Sequence, residues 1–312
     1  MLQDIQIKFP ILFKTATYLQ NKMGFFKDSI PKLLDEEFDY ELGERICKTG
    51  FEMSGENWDQ YYKHVDGLAN MSLEFLKLQV KLEKSGKYLY SSFKEVEENE
   101  YSKNGLEMEG PDYLWGLYFS EAFWKIHHNF VKFFLRDFNT NAKNKGVVLE
   151  IPCGTGFFLC EFLKKNPSWV ATGVDLADTS ISFSNMLFKA NKIPENSYRL
   201  LKIDFFEFVE TEKFDRIMCG EFLEHLEDPL GALKKFHRLL KNDGSVFITV
   251  AVWAAHIDHI FLYNNAEEVR KHIREAGFII EKELVQSVFE KDKSDTEKSK
   301  IPVSYAAILS KN

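Results

Sequence analysis

Val147-Val148-Leu149-Glu150-Ile151-Pro152-Cys153-Gly154-Thr155-Gly156-Phe157-Phe158 changes its grammar halfway along, and that change decides the fold. The β-branched apolar start predicts a buried strand, Pro152 with two glycines predicts a tight turn, and residues 157–165 predict a helix. Without a Cβ, Gly154 and Gly156 admit positive φ and let a ligand lie against the amides that open the helix. Nucleotide-type binding is one reading of such a turn, and close packing of strand against helix is the other.

Downstream the alternation continues. Strands are predicted at 169–175, 197–203, 214–219 and 244–252, with helices at 179–191 and 229–240, the latter opened by Asp228 as N-cap and Pro229 at its first position. A helix at 266–276 stops at Gly277, and 278–290 with 302–309 form a final hairpin around the charged, mobile segment 291–300. This is an α/β sheet with helices on both faces. Upstream, residues 1–110 carry helical periodicity, as in 11–23 and 71–82, and predict a helical cap, lid or dimerisation surface. The run Glu97-Glu98-Asn99-Glu100 reads as a solvated face, with a boundary near 110. Residues 111–312 form the second unit, its core at 146–310, entered through an aromatic helical segment from Phe123 to Phe138.

Composition limits the function. The 312 residues carry a net charge of −8, which argues against an extended nucleic-acid partner. No apolar run approaches the ~20 residues that span a bilayer, and residues 1–10 lack the basic start and apolar core of a secretory leader, so the expectation is a cytoplasmic protein. Cys47, Cys153, Cys160 and Cys219 have no paired spacing and predict free thiols rather than a zinc or disulfide framework.

In an open α/β sheet a ligand lies beyond the carboxyl ends of the strands. That places Glu150, Cys153, Gly154 and Gly156, then Asp175 with Leu176, Asp204 with Phe205, Gly220 to His225, and Trp253 to His259 around one site. Asp175 can accept both hydroxyls of a ribose, because a carboxylate offers two acceptor oxygens. Asp204 can accept from an adenine amine or cap a helix beginning at Phe205. Glu221, Glu224 and His225 share a face if their segment is helical, and His259 comes within reach if the fourth and fifth strands are neighbours. Two carboxylates and two imidazoles suit a divalent metal such as Mg²⁺, Mn²⁺, Fe²⁺ or Zn²⁺, with Glu221, Glu224, His225 and His259 as ligands. Without a metal, His225, His256 or His259, with Glu221 beside them, can act as general base. His127 and His128 read as helix packing, and His64, His237 and His272 have no companions.

The ordered set Glu150-Ile-Pro-Cys-Gly-Thr-Gly, Gly173-Val-Asp-Leu, Lys202-Ile-Asp-Phe, Phe214-Asp-Arg-Ile-Met-Cys-Gly-Glu-Phe-Leu-Glu-His-Leu-Glu-Asp-Pro and Leu239-Leu-Lys-Asn-Asp-Gly-Ser resembles the class I S-adenosylmethionine-dependent methyltransferases. The resemblance covers 146–310 and implies a Rossmann-like, seven-stranded, mostly parallel sheet with a reversed final hairpin. It implies that Glu150, Gly154 and Gly156 hold the methionine part of the cofactor, Asp175 the ribose, and Asp204 with Phe205 the adenine. Pro152 departs from the family pattern, where a first glycine is usual, and is expected to reshape the turn. Leu159 occupies the third glycine position of a dinucleotide fingerprint, so a cofactor without a pyrophosphate fits better. Glu221-x-x-Glu-His followed by Asp258-His is similar to metal-dependent RNA 3′-terminal 2′-O-methyltransferases, and its first part to ubiquinone-pathway O-methyltransferases. The expected activity is methyl transfer to a small-molecule acceptor, at a hydroxyl oxygen. RNA 3′-end methylation and a non-catalytic cofactor-binding scaffold are the alternatives.

Overall fold

The computed structural model describes residues 6–101, 111–140, 143–288 and 300–312. Seven strands form one sheet: β1 (Val147–Glu150), β2 (Val170–Asp175), β3 (Tyr198–Lys202), β4 (Phe214–Cys219), β5 (Leu240–Val252), β6 (Phe278–Ser287) and β7 (Val303–Lys311). Their order is β3-β2-β1-β4-β5-β7-β6. The pairings β1 with β2, β1 with β4, β2 with β3 and β4 with β5 are parallel. β7 enters antiparallel between β5 and β6. The order reverses at β1, so β1 and β4 leave a crevice at their carboxyl ends, where the glycine turn and Gly220 lie.

Side chains along a strand alternate between faces, and here each face has its own core. Val148, Met218, Phe247 and Ile308 enter one apolar cluster, and their neighbours Leu149, Ile217, Ile248 and Leu309 enter the other. The second face is covered by α10 (Pro229–Leu239) and α11 (Ala266–Glu275), whose Leu233, Phe236, Val269 and Ile273 are fully buried. The first face takes α8 (Phe157–Lys165) and α9 (Asp178–Ala190).

The amino-terminal helices join that first core. They are α1 (Pro10–Lys22), α2 (Gly24–Leu33), α3 (Tyr40–Met53), α4 (Trp58–Ser85), the short α5 (Phe93–Val96), α6 (Pro111–Phe123) and α7 (Lys125–Phe133). One cluster runs from Leu12 through Tyr61, Phe119 and Phe157 to Phe247, so the helical layer packs continuously onto the sheet. Asn57 caps α4 by accepting from the Gln60 N–H, and Gly86 ends it at φ 70°, a left-handed position that glycine occupies without a Cβ clash. No helix among the described residues is long and apolar enough to cross a membrane.

Three local expectations need correction. The run Phe123 to Phe138 breaks at Trp124, which is extended, and ends in a π-helical turn at Phe134–Phe138. Phe134 and Phe138 there pack against Phe247, with ring centroids 5.2 and 5.8 Å away. Asp204 caps no helix, because residues 204–208 close only a turn in which its carboxylate accepts from the Phe206 N–H at 2.6 Å. Glu221, Glu224 and His225 do not share a helix face: Leu223–His225 is a single 3₁₀ turn, with Glu221 outside it at φ 44°. Residues 291–299 of the charged segment lie outside the described residues.

Candidate functional site

The turn after β1 is held from β2. The Asp175 carboxylate accepts from the Gly154 N–H at 2.8 Å and from the Ala177 N–H at 3.0 Å. Burial pushes this carboxyl up, and the two backbone donors offset part of the rise. The Ser180 hydroxyl and the Leu176 N–H add to that offset. Gly156 sits at φ 71° as the N-cap of α8, and its missing Cβ would lie 2.7 Å from Ser184 Oγ. Space above Gly154 is open, with nothing within 4 Å of where a Cβ would stand. The Ile151–Pro152 bond is cis. Glu150, buried at the end of β1, accepts from the Leu159 N–H at 3.2 Å, and burial lifts its carboxyl well above the usual range.

On the far side of the crevice the Glu221 N–H donates to both the carbonyl and the hydroxyl of Thr249 on β5, each at 3.0 Å. Glu224 is completely buried and accepts from the Ala251 N–H at 3.0 Å. Burial, then the neighbouring Glu221, pushes the Glu224 carboxyl well above its ordinary value. Its Oε2 and Glu221 Oε1 are buried without a hydrogen-bond partner. The Ile260 and Phe261 N–H groups donate to the Glu224 carbonyl at 2.9 Å each, which fastens the loop after β5 to the turn after β4.

That loop brings three more groups in. Asp258 lies 3.1 Å from His225 Nδ1 and also contacts His256 Nδ1. Burial raises the Asp258 carboxyl, but the two imidazoles outweigh burial and hold it well below the usual range. It is therefore the ionised member of the cluster, fixing one nitrogen on each ring. His259 packs edge-on to His225 at 4.7 Å between ring centroids and donates Nδ1–H to the Ala254 carbonyl at 2.9 Å. Burial, then the neighbouring imidazoles of His225 and His256, lowers its pKa well below the ordinary value, so it stays neutral with Nε2 free to accept. Donor atoms of Glu224, His225 and His259 lie within 4.8 Å of one another, as do those of His256, Asp258 and His259. Glu221 belongs to neither trio, because its positive-φ position takes it out of the turn.

Glu150, Gly154, Asp175, Glu221, His225, His256, Asp258 and His259 border one cavity of about 1580 Å³, which also touches Cys153, Leu176, Asp204, Phe205 and Gly220, whereas Glu224 and Gly156 lie behind its wall. One drug-sized ligand needs ~300–1,000 Å³, so the cavity exceeds a single ligand. Cys153 is buried, and burial pushes its thiol well up, so it lines the wall as an apolar group. His128 is buried and stacked on Phe38 at 4.3 Å, whereas His127 is half-buried, meets Ser120 Oγ through Nδ1 at 2.7 Å and borders the cavity. His64 stacks on Trp115. All four cysteines are free and buried.

Sequence reasoning missed three groups. Glu121 of α6 lines the cavity, has a buried Oε2 without a partner, and is pushed well above the usual range by burial and then by Glu221. Gln79 of α4 brackets the loop after β5, donating to the Trp253 carbonyl at 3.1 Å and accepting from the Ala255 N–H at 3.0 Å. The Tyr88 hydroxyl donates to the Ala254 carbonyl at 2.9 Å, with its ring against His259. A polar residue inside an apolar helical stripe was the available signal for Gln79. Nothing local marked the other two.

The sequence profile of a family described as a methyltransferase domain matches residues 121–285. A ubiquinone biosynthesis O-methyltransferase of Neisseria meningitidis serogroup A is 28% identical over 102 residues, 33% of this chain and 42% of that protein. A sphingolipid C9-methyltransferase of Gibberella zeae is 32% identical over 113 residues, 36% of this chain and 22% of that protein. The chain thus spans less than half the length of these curated relatives. The solved structure of the mitomycin 7-O-methyltransferase MmcR superposes with a TM-score of 0.50 at 12% identity, covering 76% of this chain and 67% of that one, a likeness of fold.

Proposed function

The chain belongs to the methyltransferase-domain family, among the class I S-adenosylmethionine-dependent methyltransferases, and from that premise we propose that it methylates a hydroxyl oxygen of a small molecule, with His225 as general base. One observation carries the reading: the glycine turn and the imidazole–carboxylate cluster are two walls of a single cavity large enough for two ligands. S-adenosylmethionine supplies a methyl group on a cationic sulfur. Glu150, the 154–156 turn and Asp175 would hold its methionine and ribose parts, and Asp204 with Phe205 its adenine. The open space over Gly154, beside the Asp175 carboxylate, fits such a ligand.

In this reading the acceptor hydroxyl lies against His225. Asp258 accepts from Nδ1–H of His225, which leaves Nε2 bare to take the hydroxyl proton as the methyl group passes from sulfur to oxygen and the neutral thioether leaves. Neutral His259 accepts a second hydrogen bond from the acceptor and fixes its orientation. Residues 1–110 act as the lid, since Gln79 and Tyr88 hold the loop carrying His256, Asp258 and His259.

The test supplies S-adenosylmethionine with a labelled methyl group to fractionated cell extracts. Label is expected in a small metabolite, and label confined to RNA or protein would sink the reading. Asp175→Ala is expected to weaken cofactor binding by roughly 10- to 100-fold, the loss of hydrogen bonds to a charged group, measured by calorimetry.

The unpartnered Glu224 Oε2 beside His225 and His259 favours a second role for the same cluster. Those three residues would hold a divalent metal, whose chemistry is to lower the pKa of the bound hydroxyl. A metal that binds only the native chain raises Tm. Mn²⁺ or Zn²⁺ should then raise Tm in the wild type and not in Glu224→Gln. Equal Tm with and without metal would remove this role.

A further inference from the structure

The cavity does not end at the reacting groups. Beyond the cluster it continues between α4, α6, α7 and β6, where Met71, Phe75, Leu117, Phe130, Leu284 and Val285 line it. No residue in that arm belongs to the cofactor or proton-transfer machinery. The arm is built rather than incidental. α4 and α6 touch backbone to backbone at Gly67 and Gly116, which spreads their side chains to either side of the contact. Trp124 then closes a corner with its ring tilted against Phe75, centroids 6.0 Å apart, and its Nε1–H donating to Ser72 Oγ at 3.1 Å. Asn129 of α7 donates to Gln286 of β6 at 3.2 Å and ties the opposite wall. At the rim, Phe25 and Phe93 border the cavity and are 44% and 38% exposed. The cavity therefore reaches from these exposed rings past a largely apolar arm, with Glu121 and His127 also on its wall, to the imidazole cluster.

Resting on the reading of methyl transfer to a hydroxyl, we propose that the acceptor is amphipathic, with a hydroxylated head at His225 and His259 and a hydrocarbon chain lying in this arm. The head meets groups that orient and deprotonate it. The chain meets methyl, thioether and aromatic surface whose burial favours each added methylene by up to about fourfold in affinity.

The experiment uses 4-methyl-, 4-hexyl- and 4-dodecylcatechol as probes with the full chain saturated in S-adenosylhomocysteine, and reads Kd by calorimetry. Kd is expected to fall at least tenfold from methyl to hexyl. Leu284→Trp and Leu117→Trp, which fill the arm, should flatten that slope while the S-adenosylhomocysteine Kd stays within twofold. A wild-type Kd independent of chain length overturns the proposal. So does a slope retained in both variants. Should either variant lose S-adenosylhomocysteine binding, the wild-type slope alone decides. Turnover of the same probes with S-adenosylmethionine is scored separately. A chain-length slope without methyl transfer would count against the catalytic reading and leave the apolar arm standing.

Discussion

His225→Ala should lower the rate of methyl transfer at saturating S-adenosylmethionine by about 10²- to 10⁴-fold, the usual contribution of a positioned general base. Cofactor affinity should stay within threefold, because His225 touches neither the turn at 154–156 nor Asp175. Asp258→Asn should cost at least tenfold in the same step. An amide cannot accept at both ends, so one of the two imidazoles held by Asp258 loses its fixed tautomer. Single-turnover assays separate this from slow product release. If His225→Ala leaves the chemical step unchanged, His225 is not the base. If Asp258→Asn is silent while His225→Ala is severe, the imidazole acts through a metal held with Glu224 and His259 rather than through its carboxylate partner.

The sheet was legible because its signals are local. Short apolar, β-branched strand runs, Gly154 and Gly156 at positive φ, Asp228 capping α10 and Gly277 ending α11 each act within a few residues, and the structure uses them as the sequence implied. That the fourth and fifth strands are sheet neighbours was also an expectation, and their pairing brings His259 to His225. What the sequence did not show depends on contacts between distant segments. Glu221 was grouped with Glu224 by helical spacing, but its N–H is captured by Thr249, 28 residues away, and the chain leaves helical geometry there. Gln79 reaches Trp253 and Ala255 across more than 170 residues, and no local pattern encodes that. Asp204 left two readings open in sequence, and the helix-cap one falls because its carboxylate closes only a turn at Phe206.

The helical layer should be more sensitive at Gly67 than anywhere in the glycine turn. A Cβ on Gly67 would stand 2.1 Å from the Asp112 carbonyl oxygen, and one on Gly116 would stand 2.8 Å from the Gly67 carbonyl oxygen. Both obstacles are backbone, so no rotamer change relieves them and α4 must move away from α6. Gly67→Ala is therefore expected to destabilise by about 3 kcal/mol, the upper part of the range for overpacking, with a fall in Tm of several degrees. Gly24→Ala is the matched control. Its Cβ meets nothing within 4 Å in a helix, and the substitution should be neutral or stabilising by up to ~1 kcal/mol. The displacement would also reach the chemistry. Gln79 lies further along α4 and Glu121 along α6, so separating the helices shifts the loop carrying Asp258 and His259 relative to His225. Methyl transfer in Gly67→Ala should fall more steeply than S-adenosylmethionine affinity, which depends on strand ends outside this contact. Equal Tm for Gly67→Ala and wild type would show that the two helices do not meet as described. A loss of cofactor affinity that matches the loss of turnover would show that the helical layer supports the whole fold rather than the acceptor side of the site.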